Sequence, residues 1–319
     1  MKKIYLFFLI LLFASSYAQI VNIPDANFKA KLLAANTTNN IAFDSNNISI
    51  VVDTNGDSEI QNSEALVVYK LSILGQPGGV ISDLTGINSF TNLRSFLASS
   101  NALTTLSISG LAYLSSIQVV NNQLTTLSVS NLPSLQNIHV PNNQLSNYSI
   151  INCPNLQTLT LNNNLITSVN ISDFPNLLTL QCDNNLISSI TLNNNIGLKN
   201  IVANNNQLSD ISFFEAPNLE NLYINNNLFT NINLGLNPQL GNFDFSYNPY
   251  LTHFNIKNGN HNYSQGAFPQ FSNTPNLLYI CADDDEATML PVLLNFYNQP
   301  NVVINSYCNF VPGGIYYTR

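Results

Sequence analysis

The sequence predicts a solenoid of stacked parallel strands in which the chain completes one coil every 21 residues. Three observations carry that prediction. Leu93, Leu114, Leu135, Leu156, Leu177, Leu198, Leu219 and Leu240 fall 21 residues apart without a slip. With each of these leucines as position 1, positions 4 and 6 are apolar in every unit, from Phe96 and Ala98 to Phe243 and Phe245. Position 9 is Asn every time: Asn101, Asn122, Asn143, Asn164, Asn185, Asn206, Asn227 and Asn248. One such unit cannot bury its apolar side alone, whereas stacked units can. The segment around positions 4 and 6 alternates inward and outward, the signature of a strand. Successive strands then lie in parallel about 4.8 Å apart, so that eight coils span roughly 40 Å.

The recurring Asn falls where the chain turns away from the strand. Its amide both donates and accepts, and can satisfy backbone groups of the turn that water does not reach. We therefore read these eight residues as a structural ladder. The second half of each unit repeats the first. Positions 11, 14 and 16 are Leu103, Leu106 and Ile108, then Leu124, Leu127 and Val129, and the series continues with Ile166, Val169 and Ile171. That half is too short for a long helix, and the far side of each coil should also be extended. Pro133, Pro154, Pro175, Pro217, Pro238 and Pro275, two residues before the next unit, block helix and set the return corner.

The L-x-x-L-x-L-x-x-N-x-L pattern is that of a leucine-rich repeat. The nested halves resemble the bacterial 21-residue leucine-rich repeats of internalin-like secreted and surface proteins. The resemblance covers residues 93–256 and implies a leucine-rich-repeat solenoid of the α/β horseshoe class. Here it is β-rich, with parallel strands, an extended convex side and small helical caps at both ends. It implies a binding scaffold without naming a ligand. In the eighth unit Leu251, Phe254 and Ile256 each come one residue late, and residues 258–273 lose the period. We expect a loop there and a last coil restarting at Leu277. The solenoid as a whole should occupy residues 68–276, its first coil at 68–92 being degenerate, marked by Leu71 and Ile73 and lengthened by the turn at 76–79.

Only 8% of the 319 residues are charged, and the formal net charge is -8. The surface must therefore be built of Asn, Ser, Thr and Gln, and the scarcity of Lys and Arg argues against nucleic acid as a partner. Residues 1–18 read as a secretory signal: Lys2 and Lys3, an apolar run from Ile4 to Phe13, and Ser16-Tyr17-Ala18 as a small-x-small cleavage site. The run is short for a membrane span. We expect a secreted or outer-surface protein beginning at Gln19, acting as a monomer, with no membrane span once the signal is removed.

Residues 19–67 lack the repeat and are expected to cap the solenoid, starting with a short helix near Asp25, where an acid is favoured. Within the cap, residues 53–64 read D-x-N-x-D-x-x-I-x-x-x-E. The stretch resembles the twelve-residue calcium loop of EF-hands and dockerins. In such a loop, side chains at positions 1, 3 and 5 converge on a hard cation, position 7 offers its carbonyl, and a Glu at 12 supplies two oxygens. Asp53, Asn55, Asp57, Glu59 and Glu64 fill those slots, making calcium the expected structural cofactor. Ser58 stands where the sixth position usually has Gly, and Gly56 comes two residues early. The competing interpretation is a polar turn followed by a capped helix.

Residues 277–319 are expected to form the opposite cap: a strand marked by Leu278, Ile280 and Ala282, a helix from Asp283 to near Tyr297, and a short strand at 302–304. Cys281 and Cys308 both fall in this cap and should form a disulfide outside the cytoplasm. Cys153 and Cys182 occupy different parts of the coil and should remain free. The segment Asn305-Ser306-Tyr307-Cys308 is similar to one in secreted repeat proteins of gliding, type IX-exporting bacteria. In those proteins further modules and a sorting domain follow, which implies that this chain is truncated before its further modules.

No H-E-x-x-H, G-x-S-x-G or C-x-x-C motif occurs, and a catalytic role is not expected. The expected function is binding or adhesion through the strand face. Its outward position 5 carries Leu97, Gln118, His139, Thr160, Gln181, Val202, Tyr223 and Asp244. His139, Gln181, Tyr223 and Asp244 are the candidate ligand-binding residues, for a protein or a glycan. The alternative is a passive spacer that carries other modules.

Overall fold

The protein is seen here as a computed structural model that describes residues 19–75, 80–260 and 270–308. The expected signal at 1–18, the turn at 76–79 and the segment 313–319 lie outside the described residues.

The period predicted from the leucines is the period of the coil. One long sheet runs along the front of the solenoid, in which Lys70–Ser72, Ser95–Leu97, Ser116–Gln118 and Asn137–His139 pair in parallel. The sheet continues through Thr158–Thr160, Thr179–Gln181, Asn200–Val202, Asn221–Tyr223 and Asn242–Asp244. The register advances by one 21-residue unit at every step from Ser95 onward, and each strand buries its middle residue. Position 1 and position 4 side chains such as Leu156 and Leu159 are fully buried. A fully buried leucine of this kind contributes roughly 2–5 kcal/mol relative to Ala.

The back of the solenoid is extended, as expected, but in pieces. Thr105–Ser109, Thr126–Ser130 and Asn147–Ile151 form one parallel sheet. Ser168–Asn170 pairs with Ser189–Thr191 in a second. Asn231–Asn233, His253–Asn255, Tyr279–Cys281 and Val303–Asn305 form a third. The first break falls at Tyr148, which takes the place of an aliphatic residue at position 14. Its hydroxyl accepts from the Asn170 N–H at 3.1 Å, so the next strand is bonded to a side chain rather than to backbone. The second break is a correction to the all-extended expectation: Phe213–Glu215 is a 3-10 turn, and Glu215 caps the Asn194 N–H at 2.8 Å.

The late apolar residues of the eighth unit do shift the register by one, since Asn231 pairs with His253. The last coil does not restart at Leu277. Gln270 already bridges Asp244 on the front sheet, and the Phe245 and Tyr247 N–H groups donate to the Gln270 and Ser272 carbonyls. Leu277 instead opens the back half of that coil, equivalent to Leu251, and Tyr279–Cys281 joins the back sheet. The front half was illegible because Thr274, not Asn, occupies its ladder position.

The caps close both ends. Helix α1 (Ala26–Leu33) buries Phe28 and Leu32, and Asp25 caps it by accepting from the Phe28 N–H at 2.8 Å. The other oxygen of Asp25 accepts from Ser82 and Asp83, tying the cap to the first coil. Burial pushes the Asp25 carboxyl up, but these hydrogen bonds outweigh it and hold it below the usual carboxylate range. Ala42–Phe43 pairs antiparallel with Lys70–Ser72 and so covers the free edge of the front sheet. Helix α2 (Asn62–Ala65) begins within the last residues of the stretch 53–64. Helix α3 (Glu286–Phe296) covers the far end, burying Leu290 and Leu294, close to the span read from the sequence. Among the described residues no helix is long and apolar enough to cross a membrane.

Candidate functional site

The front sheet brings the four candidate ligand-binding residues into one column. Because the strands are in register, His139 pairs with Thr160, Thr160 with Gln181, Gln181 with Val202, Val202 with Tyr223 and Tyr223 with Asp244. Tyr223 and Asp244 are neighbours, while Thr160 separates His139 from Gln181 and Val202 separates Gln181 from Tyr223. All four are half-buried, flanked by their own column and by the side chains of positions 3 and 7, which are polar beside Gln181, Tyr223 and Asp244 and include Pro141 beside His139. Burial lowers the pKa of His139, which favours its neutral ring.

The flanking residues were read from the sequence only as polar; in the structure they form chains of their own. At position 3, Asn242 donates to Asn221 at 2.7 Å, Asn221 to Asn200 at 2.6 Å, and Asn200 to Thr179 at 3.0 Å. At position 7, the Asp183 N–H donates to Asn162, the Asn204 N–H to Asp183, and the Asn225 N–H to Asn204. Burial raises the carboxyl of Asp183 despite its bonds to Asn204. Asn225 also donates to Asp244 at 2.9 Å, fixing that carboxylate on the face. The face is therefore a preorganised polar surface whose central column varies from coil to coil.

Position 9 ties successive coils together behind this face. The Asn143 amide nitrogen donates to the carbonyl of Val119 at 2.9 Å in the preceding coil and to Val140 at 3.1 Å in its own. Its oxygen accepts from the Leu124 N–H at 3.1 Å. Asn164 repeats this pattern with Val140, Leu161 and Leu145, and Asn185 with Leu161, Cys182 and Ile166. All eight are buried, so each supplies bonds that water cannot.

The loop at 53–64 folds as a tight polar turn. The carboxylate of Asp53 accepts from the Gly56 and Ser58 N–H groups at 2.8 and 3.1 Å. Asn55 donates to Asp57 at 3.0 Å, as does Gln61 at 2.8 Å. Bonds from the Glu59 backbone and Gln61 outweigh desolvation and lower the Asp57 pKa. Glu64 is buried, accepts from Thr54 and from the Gln61 N–H, and completes a capping box at the start of α2. The side chain of Glu59 turns away to an ion pair with Lys29 at 2.6 Å, which leaves its carbonyl for the seventh slot. Ser58 adopts φ +66°, the sharp turn that calcium loops make with Gly. Gln61, at the ninth position, was overlooked in the sequence; the signal was its spacing of eight from Asp53. Among the described residues, no group of three or more His, Cys, Asp and Glu is disposed to hold a metal ion.

In the C-terminal cap Cys281 and Cys308 lie against each other with Cα atoms 5.1 Å apart, inside the range a disulfide requires. Cys153 and Cys182 are buried and unbridged, and burial raises both thiol pKa values.

The coil, its parallel rungs and its buried Asn column define a leucine-rich-repeat solenoid. No protein-family model and no curated protein matches the chain. Among solved structures, the functional domain of InlJ from Listeria monocytogenes is similar at 20% identity and a TM-score of 0.32, over 83% of this chain and 76% of that one. Internalin C2, also from Listeria monocytogenes, is similar at 18% identity and 0.38, over 83% and 96%. The LRIM1/APL1C complex is similar at 19% and 0.47, over 80% of this chain and 54% of that one. At these scores the assignment rests on the rungs and ladders described above.

Proposed function

We propose that the protein is a secreted or surface-exposed binding scaffold without catalytic activity, and that its front face recognises a protein or glycan partner. The observation that carries this reading is the position 5 column. Eight side chains that vary in size and polarity stand in one row on the front sheet, flanked from Thr160 to Asp244 by hydrogen-bonded polar side chains at positions 3 and 7. A surface of this kind offers an aromatic anchor in Tyr223 and oriented hydrogen-bonding groups around it, the mixture common at recognition surfaces. Secretion rests on the signal-like start at 1–18 and fits the facing cysteines of the C-terminal cap. A photo-reactive residue at position 202 on the front, compared with one at position 128 on the back, tests the reading. The front probe should capture a partner that the back probe does not; equal capture, or none from the front, would refute it.

Calcium at residues 53–64 is a second part of the proposal. It is supported by the ligand spacing, by the left-handed turn at Ser58 and by the mutual contacts of Asn55, Asp57 and Gln61. A cation would be held by these groups with Asp53 and Glu64, and would stiffen the turn that feeds the first coil.

A further inference from the structure

We propose that a second recognition site, specific for a neutral saccharide unit, lies in the cleft between the last coils and the C-terminal cap. The cleft has a volume of about 590 Å³, within the range of small-ligand sites. Its lining includes Tyr247, Tyr297, Asn226, Asn273, Asn298 and Gln299, and no charged residue.

Tyr247 is the reason to look here. It occupies position 8, where the backbone is left-handed in every unit: Ser100, then Asn121, Asn142, Asn163, Asn184, Asn205 and Asn226, all with positive φ. Asn tolerates that conformation, and a bulky ring does not favour it. Tyr247 nevertheless holds φ +58° and leaves its side chain largely exposed at the cleft, 55% accessible. A strained residue in place of the one every preceding coil but the first uses points to a role other than folding.

The rest of the lining fits one ligand chemistry. Tyr297 packs edge-on against Phe271, with centroids 4.9 Å apart, and its hydroxyl donates to Gln270 at 3.2 Å, so the ring is fixed. Asn226, Asn273 and Asn298 all have left-handed backbones that set where their amides stand. Gln299 spends its amide nitrogen on the Thr274 carbonyl and hydroxyl, at 3.0 and 2.9 Å. Its oxygen is buried and has no hydrogen-bond partner. Two aromatic rings suit the apolar faces of a sugar, and amides that donate and accept suit its hydroxyls. With no cation in the lining, nothing there would select a carboxylated or sulfated glycan, and a peptide would find no ion pair.

The test is an array of neutral and sialylated oligosaccharides together with arrayed peptides, probed with the wild-type protein and with Tyr247→Asn. That substitution restores the Asn that position 8 carries in the six preceding coils and removes the ring, so its melting temperature should equal or exceed that of wild type. Wild type should be retained by neutral glycans, and Tyr247→Asn should bind them about tenfold more weakly, the loss of one aromatic contact. Gln181→Ala/Tyr223→Ala, on the front face, should keep this binding, which separates the cleft from the front-face proposal. Undiminished binding by Tyr247→Asn would overturn the proposal. So would retention by sialylated glycans or peptides alone, or by nothing on the array.

Discussion

Positions 5 and 9 lie four residues apart in every coil and behave in opposite ways. Position 9 is Asn in all eight units, buried, with its amide bonded to backbone of its own coil and the one before. Position 5 passes through Leu, Gln, His, Thr, Gln, Val, Tyr and Asp, on the same rigid rungs. The difference separates construction from display. A residue that must satisfy buried backbone in two coils has few solutions, and the eight regular units keep the same one. A residue that only stands on the outer face has no such requirement, and its identity is free to serve a partner.

The comparison is broken most easily from the buried side. Asn164→Ala should leave the Leu145 N–H and the Val140 and Leu161 carbonyls without those bonds, and cost roughly 1–3 kcal/mol. Thermal or denaturant unfolding measures it, and an unchanged melting temperature would mean the ladder is not structural. A cation at the N-terminal loop should come next. Calcium at tenfold its dissociation constant should add about 1.4 kcal/mol to wild type and nothing to Glu64→Gln, which loses the bidentate carboxylate. Equal melting in calcium and chelator would reduce the motif to a polar turn.

The exposed neighbour of the buried column sharpens the contrast. Asn163 has φ +56° and donates to Asn142 at 2.8 Å, but in water. Asn163→Ala should cost about 1 kcal/mol through the left-handed backbone, and Asn163→Gly a few tenths, because Gly accepts that conformation freely. At position 164 Gly should be as damaging as Ala. Parallel melts of the four variants check this, and a rescue of position 164 by Gly would show that conformation, not hydrogen bonding, fixes the buried column.

Most of the solenoid was legible because apolar spacing and Asn spacing report the same coil. The Leu and Asn columns placed the rungs, and Asp25 placed the first cap helix. The misread regions are those where one residue substitutes for the repeat by another physical route. Thr274 replaces the ladder Asn, donates to the Phe271 carbonyl and accepts from Gln299 in the cap, so the last front rung carried no recognisable sign. Tyr148 interrupts the back sheet through a hydroxyl that only three-dimensional proximity reveals. The strand-face candidates were legible as outward residues of one column. The cleft at Tyr247 was not, because its significance depends on the left-handed backbone and on a cap that folds back from residues 297–299.

The division between building and displaying is tested most directly by one paired experiment. His139→Ala/Gln181→Ala/Tyr223→Ala should unfold within about 0.5 kcal/mol per site of wild type and lose the partner captured by the front probe. Asn185→Ala should lose stability, yet retain that partner below its melting temperature. A triple variant that still holds the partner, or that melts as early as Asn185→Ala, would contradict the account.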